Sequence, residues 1–447
     1  MTLIMLARWR IILSGKSTPR AYFTGIICLM LSFIRISFPL RKAFKYTIPN
    51  DAFILEHFNF WLGIITLVIL AASFYGRYED LMCEGHSRLK FYLIINLILV
   101  LLVVGSNKIV YFFIIFELSI IPIFLVITGW GYQPEKIRAA YALFFFTAVS
   151  AGPLLITLIM SFYQNINLEV NFLSLFNVNR FYTSVQRWLL LIGFLVKLPV
   201  YGAHLWLPLA HVEAPVYGSI ILAGILLKLG GIGMLRFSKF LHASPFVDWV
   251  LVVRLLGMAL VAGTCLFVTD LKKIIAFSSV SHIGFSILLI SFRIKNPLWV
   301  AFLILIVHAF SSSAMFFAVY YFYLYSNSRN LVINIGIIRL SPVISFFWLL
   351  AIIASLGGPP AINLLAEIWA FMFSFIFLPS YVLLLAVSFI LGRVYHFILY
   401  RTIIQGTRLW EAYQENQTRT SIRLIFICLY HSVLSCFTII LARRFII

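Results

Sequence analysis

Four charged side chains stand in stretches that are otherwise apolar. Glu117 is the sole charge between Ile109 and Trp130, and Lys228 is the sole charge between Tyr217 and Leu235. Lys197 lies beside Pro199 inside a long apolar run, and Glu367 follows Gly357-Gly358-Pro359-Pro360. At the centre of a membrane helix a charge costs about 2.5 to 3.5 kcal/mol, so a chain that holds several must seat them in a polar interior. Histidines join the set. His282 and His308 fall inside apolar runs, and His204 follows Lys197 by seven residues, which on a continuous helix is close to two turns and nearly the same face. Histidine titrates near neutrality, and burial brings Lys and Glu toward it, so each of these groups can load and release a proton. The chemistry that fits Glu117, Lys197, His204, Lys228, His282, His308 and Glu367 is proton movement along one buried path.

Plainer readings compete. Glu117 with Lys197 could be a static ion pair, present for register rather than for transfer. His204, His211 and Glu213 could ligate a metal, but their H-x6-H-x-E spacing matches no common site. A lone membrane histidine such as His308 often serves only as a hydrogen-bond partner between helices. Phe-rich stretches such as Phe144 to Phe146 read as packing or lipid-facing surface.

The elements that must position these groups are membrane helices. Of 447 residues, 63% are apolar and only 11% are charged, which excludes a water-soluble fold. Apolar runs near 1–15, 21–40, 53–75, 90–106, 109–130, 139–162, 188–208, 215–236, 249–268, 273–292, 297–325, 342–378, 380–402 and 421–442 predict an all-α polytopic membrane protein of about 14 spans. Connections such as 76–90 and 406–421 are too short to fold alone, so one membrane domain is expected. Lys and Arg are similarly numerous on alternate connections and assign no orientation. Two spans are predicted to break, at Pro199 and at Gly357 to Pro360. Proline removes a backbone donor, and hydrocarbon cannot satisfy the freed carbonyls, so such breaks line enclosed, wetted cavities. Their places five spans apart fit two related five-helix units with a transport site between them.

The net charge of +20 arises from Lys and Arg between apolar segments, as at Arg41-Lys42, Lys272-Lys273 and Arg443-Arg444, and so does not point to nucleic acid. The basic, acid-free first twenty residues fit either a mitochondrial transit peptide or a short first membrane segment. Cys28, Cys83, Cys265, Cys428 and Cys436 form no C-x-x-C pair, and no nucleotide-binding or haem motif is present. The Gly230-Gly231-Ile232-Gly233 run reads instead as a surface for close helix packing. No cofactor is expected in this chain: it can move protons but shows nothing to carry electrons.

The motif around the first break carries a resemblance. Lys197-Leu198-Pro199, His204-Leu205-Trp206-Leu207-Pro208, Ala210-His211-Val212-Glu213-Ala214-Pro215, Gly218-Ser219 and Leu227-Lys228-Leu229-Gly230-Gly231 resemble the antiporter-like, proton-translocating membrane subunits of respiratory complex I. Phe116-Glu117, the Gly129 to Glu135 run and Gly358-Pro359-Pro360 with Asn363-Leu364 and Glu367 narrow the resemblance to one member, with an acid on the twelfth span where sister subunits have lysine. It covers roughly residues 105 to 375 and fades toward both ends. Leu209, in place of a lysine, and Tyr217, in place of a small residue, depart from the pattern. The resemblance implies three segments: 1–105 and 376–447 as flanking spans, and 106–375 as the antiporter-like core holding two inverted five-helix repeats. It further implies the mitochondrial inner membrane, sister membrane-arm subunits and lipid as partners, and NADH, FMN, iron–sulfur clusters and ubiquinone on other subunits. In the mechanism it implies, charge movement along the membrane arm draws Glu117 from Lys197. The lysine proton then passes by water and His204 toward Lys228 and His282 or His308, and leaves by Glu367. A secondary Na+/H+ antiporter and a purely structural helper are the rival readings.

Overall fold

The computed structural model describes residues 50–76, 87–106, 108–164, 184–238, 246–292, 295–340, 342–359 and 361–406. The spans expected near 1–15, 21–40 and 421–442 lie outside these residues. The principal helices are α1 (Asn50–Gly76), α2 (Ser87–Gly105), α3 (Ile109–Trp130), α4 (Lys136–Tyr163), α5 (Ser184–Lys197), α6 (Trp206–Glu213), α7 (Val216–Arg236), α8 (Phe246–Thr264), α9 (Leu271–Ser291), α10 (Lys295–Ser326), α11 (Pro342–Leu356), α12 (Ile362–Phe377) and α13 (Val382–Ile404). Seven helices among the described residues are long and apolar enough to cross a membrane, and the chain is a multi-pass helical membrane protein.

Burial separates an inner group from an outer one. About nine tenths of α7, α9 and α10 is enclosed, whereas only 33% of α4 and 28% of the span containing α13 is. The outer helices turn Phe145, Val149, Leu383 and Phe397 outward, as lipid demands. Lys228, His282 and His308 all belong to the inner three helices, so these three polar groups occupy the centre of the bundle. Small residues permit the close approach. A Cβ at Gly231 would lie 2.6 Å from Leu305 of α10, and one at Gly233 would overlap the ring of Phe194 on α5.

Both expected breaks are present, with one correction of extent. The run read as 188–208 is instead two helices, α5 ending at Lys197 and α6 running from Trp206 to Glu213. Pro208 occupies the third position of α6, where a missing N–H is harmless because the first turn has no acceptor for it, so it starts the helix rather than ending it. His211 and Glu213 therefore stand on the last turn of α6. His204 likewise lies in the gap, so it does not share a helix face with Lys197. The second break separates α11 from α12. Gly357 there has φ +72°, a left-handed conformation natural to glycine.

Candidate functional site

At the first break the chain must satisfy carbonyls that Pro199 leaves without a following helical turn. Leu198 N–H still donates to Phe194 O at 2.8 Å, and the indole Nε1 of Trp206 reaches back to Val196 O at 3.2 Å. Lys197 is the final residue of α5, so its ammonium stands at the negative end of the helix dipole. Its Nζ forms an ion pair with Oε1 of Glu117 on α3 and lies 3.7 Å from the centre of the Phe116 ring. The lysine side chain is 6% exposed and the glutamate 23%. Two opposite charges from separate apolar helices thus meet at a helix end. Nearby, Pro122 deletes a donor from α3 and the helix loosens at Ser119, whose carbonyl accepts from Asn96 Nδ2 at 2.8 Å.

Helix α7 passes close behind this pair, with a Cβ at Gly230 falling 3.1 Å from Leu198 and 3.6 Å from the Lys197 Cβ. Midway along, residues Leu222–Leu226 widen into a π-helical turn. Lys228 is 1% exposed, and its Nζ donates to Ala223 O at 2.5 Å, a carbonyl inside that turn. The widened turn thereby gives a buried ammonium a backbone acceptor in a place where no side-chain acid is paired with it among the described residues. His308 stands on α10, which packs against α7.

From His308 the polar groups continue toward the second break. Its ring lies 5.7 Å from that of His282, and His282 Nδ1 is 3.6 Å from Oε1 of Glu367. Glu367 is 3% exposed and accepts from Asn363 Nδ2 at 3.0 Å; the same amide also donates to Ser355 O, which ties α12 to the end of α11 across the break. Gly357 completes the seat, because a Cβ at that position would fall 2.7 Å from Glu367 Oε2. Two neighbours on α13 were not among the residues expected from sequence. Arg393 Nη2 lies 3.8 Å from Glu367 Oε2, and the ring of His396 lies 5.6 Å from that of His282. The same test that selects Glu117, a charged or titratable side chain inside an apolar run, would have found both.

Of the expected residues, the structure joins Glu117 to Lys197 and groups His308, His282 and Glu367. It seats His204 elsewhere: the ring stacks on Tyr201 at 5.3 Å and approaches Phe277 at 6.0 Å, while its Nδ1 accepts from Gly202 N–H at 3.2 Å. His211 is fully buried and stacks on Phe316 at 4.9 Å. A further cluster caps α6. Lys272 Nζ donates to Ala214 O at 2.9 Å and Val212 O at 3.3 Å, and Arg329 donates to Val212 O at 2.5 Å. Gln133, its amide turned to suit both neighbours, donates to Glu213 Oε1 and accepts from Arg329 at 3.0 Å each. This cap borders a polar cavity of about 470 Å³ lined in part by Tyr132, Asp270 and Tyr323. Among the described residues no three His, Cys, Asp or Glu side chains are placed to hold a metal.

An ion pair at one interrupted helix, and at a second break a carboxylate beside histidines of enclosed spans, are the features of ion-moving membrane subunits. Comparison with known proteins places the chain among them. The family model described as NADH:quinone oxidoreductase/Mrp antiporter, transmembrane, matches residues 106–392. NADH-ubiquinone oxidoreductase chain 4 of Ceratitis capitata is 37% identical over 320 residues, 69% of this chain and 68% of that one. The protein of the same name from Scyliorhinus canicula is 34% identical over 362 residues, 76% of each chain, and that of Petromyzon marinus is 33% identical over 383 residues, 82% of each. The chain belongs to this family, in its NADH-ubiquinone oxidoreductase chain 4 branch. Solved structures share the fold. A chain of the membrane-bound sulfane sulfur reductase, an archaeal respiratory membrane complex, matches 97% of this chain and 92% of its own length with a TM-score of 0.80 at 15% identity. A chain of the Mrp complex from Dietzia sp. DQ12-45-1b matches 98% of this chain and 50% of its own length with a TM-score of 0.79 at 18% identity.

Proposed function

We propose that this chain is a proton-translocating membrane-arm subunit of NADH:ubiquinone oxidoreductase in the mitochondrial inner membrane. The observation that carries the reading is the Glu117–Lys197 pair, an acid and a base from different apolar helices that meet where one helix is cut. While paired, Lys197 is held protonated by its counter-charge. When Glu117 is drawn toward a charge on a neighbouring subunit, the ammonium is left in a low-dielectric site, where its charged form is disfavoured, and it yields its proton. The proton moves by bridging water toward Lys228, whose hydrogen bond to a carbonyl of the π-turn supports its role as the next carrier, and then through His308 and His282 to the cluster at Glu367. His204 is kept in the route as a member reached through water rather than through a shared helix face.

Other subunits hold NADH, FMN, the iron–sulfur clusters and ubiquinone, and the chain itself has no redox centre. Sister antiporter-like subunits and lipid cover its outer helices; nucleic acid plays no part. Two outcomes test the reading. The complex isolated through this chain should contain flavin and iron–sulfur partners, and Glu367→Gln, which keeps shape and hydrogen bonding but cannot ionise, should assemble yet pump fewer protons. A flavin or iron–sulfur signal in the isolated chain, or full pumping in that variant, would count against it. The Na+/H+ antiporter reading predicts instead sodium-dependent transport without redox partners.

A further inference from the structure

Arg393 and His396 occupy α13 three residues apart, on one face of the helix and near the middle of its length. The route from Lys197 to Glu367 uses neither. A guanidinium at that depth requires an anion, and among the described residues its ion-pair partner is Glu367. Arg393 is also held from behind, with Cζ 3.8 Å from the centre of the Phe389 ring. It therefore draws the second oxygen of Glu367 toward α13 while the first faces His282.

The hydrogen bonding of His396 assigns its tautomer. Nδ1 lies 2.8 Å from Gly392 O, and a carbonyl can only accept, so Nδ1 carries the hydrogen. In the neutral ring Nε2 is then a bare lone pair. That nitrogen is buried, in a residue 1% exposed, and has no hydrogen-bond partner among the described residues. Nε2 of His282 is in the same condition. Buried polar atoms are nearly always satisfied, so two such nitrogens on rings 5.6 Å apart describe a place where a proton or a water is received.

We propose that α13 supplies a further proton carrier to the path: His396 accepts the proton that His282 gives up, and Arg393 is a positioning residue that keeps the Glu367 carboxylate aimed at His282. This rests on the proton-translocation reading. In the step an N–H bond at Nε2 of protonated His282 breaks and an N–H bond forms at Nε2 of His396, directly or through one water. His396 keeps its Nδ1 hydrogen on Gly392, one positive charge moves from α9 to α13, and neutral His282 is ready to be reloaded. Glu367 faces His282 and stabilises its imidazolium while the proton is there.

The test uses the assembled complex in liposomes and reads NADH:ubiquinone turnover together with protons moved per NADH. His396→Asn retains a donor for the Gly392 carbonyl but has no basic nitrogen, and His396→Phe keeps the ring without either. Both should lose pumping to the degree that Glu367→Gln does. Full pumping in His396→Asn beside a defective Glu367→Gln would make the histidine structural and overturn this inference alone, whereas full pumping in all three would overturn the translocation reading as well. Arg393 provides an independent arm should the His396 variants fail to assemble. Arg393→Lys should restore pumping that Arg393→Gln loses, and equal pumping in the two would overturn the role of α13.

Discussion

The two breaks solve the same problem with opposite charges. At the first, the ionised group that ends the helix is a cation, Lys197, stabilised by the negative end of α5 and by one acid from α3. At the second, the group is an acid, Glu367, set more than a turn into the resumed helix α12 and surrounded by Asn363, His282 and Arg393 from three helices. Among the described residues the first is a single ion pair, with one counter-charge to lose. The second shares its charge among several neighbours, so no single contact decides its state. The difference teaches a division of labour: the Glu117–Lys197 pair is built to switch, and the Glu367 cluster is built to receive and pass on.

That contrast can be broken most severely at the pair. Removing one member of a buried ion pair costs about 3 to 5 kcal/mol, because the other charge is left uncompensated. Lys197→Ala should therefore abolish most coupled proton pumping, roughly tenfold or more, while blue-native electrophoresis still shows the assembled complex; unaltered pumping would mean that the pair is no switch. The effect at the second break should be smaller. Gly357→Ala forces a left-handed backbone on a residue with a Cβ, about 1 to 2 kcal/mol, and pushes that atom against Glu367. It should lower both the thermal midpoint of the complex and its pumping, and an unchanged enzyme would show that the break does not seat the acid. Asn363→Ala removes one hydrogen bond to Glu367, on the order of 1 to 3 kcal/mol for a charged acceptor, while His282 and Arg393 remain. Partial pumping is expected, measured as protons per NADH. Complete loss would mean that the second cluster, like the first, depends on a single partner.

Much of this arrangement is legible in the order of the amino acids. The spans follow from apolar run length, the breaks from proline and glycine inside those runs, and the charged members from their isolation in hydrocarbon. What is not legible depends on where helices stop and which helices meet. His204 is placed on the face of Lys197 only if the helix continues, and it ends at Lys197. Pro208 reads as the end of a span, yet it lies in the first turn of the short helix α6, where a proline forfeits no hydrogen bond. The π-turn that serves Lys228 has no proline to mark it, and periodicity alone does not reveal one extra residue in a turn. Asn363, Arg393 and His396 gain their meaning only from the packing of α12 and α13 around His282, which a single chain of letters does not specify.

Protons translocated per NADH in complex carrying Glu117→Gln test the central claim most directly. Glutamine preserves the shape of the side chain and can still hydrogen-bond, so assembly and the fold of α3 are retained, but the charge that holds Lys197 protonated is gone. The expected result is an assembled complex with a depressed proton yield and slowed coupled NADH:ubiquinone turnover. A normal yield at normal turnover would contradict the switch, and would reduce the pair to a static contact between two helices.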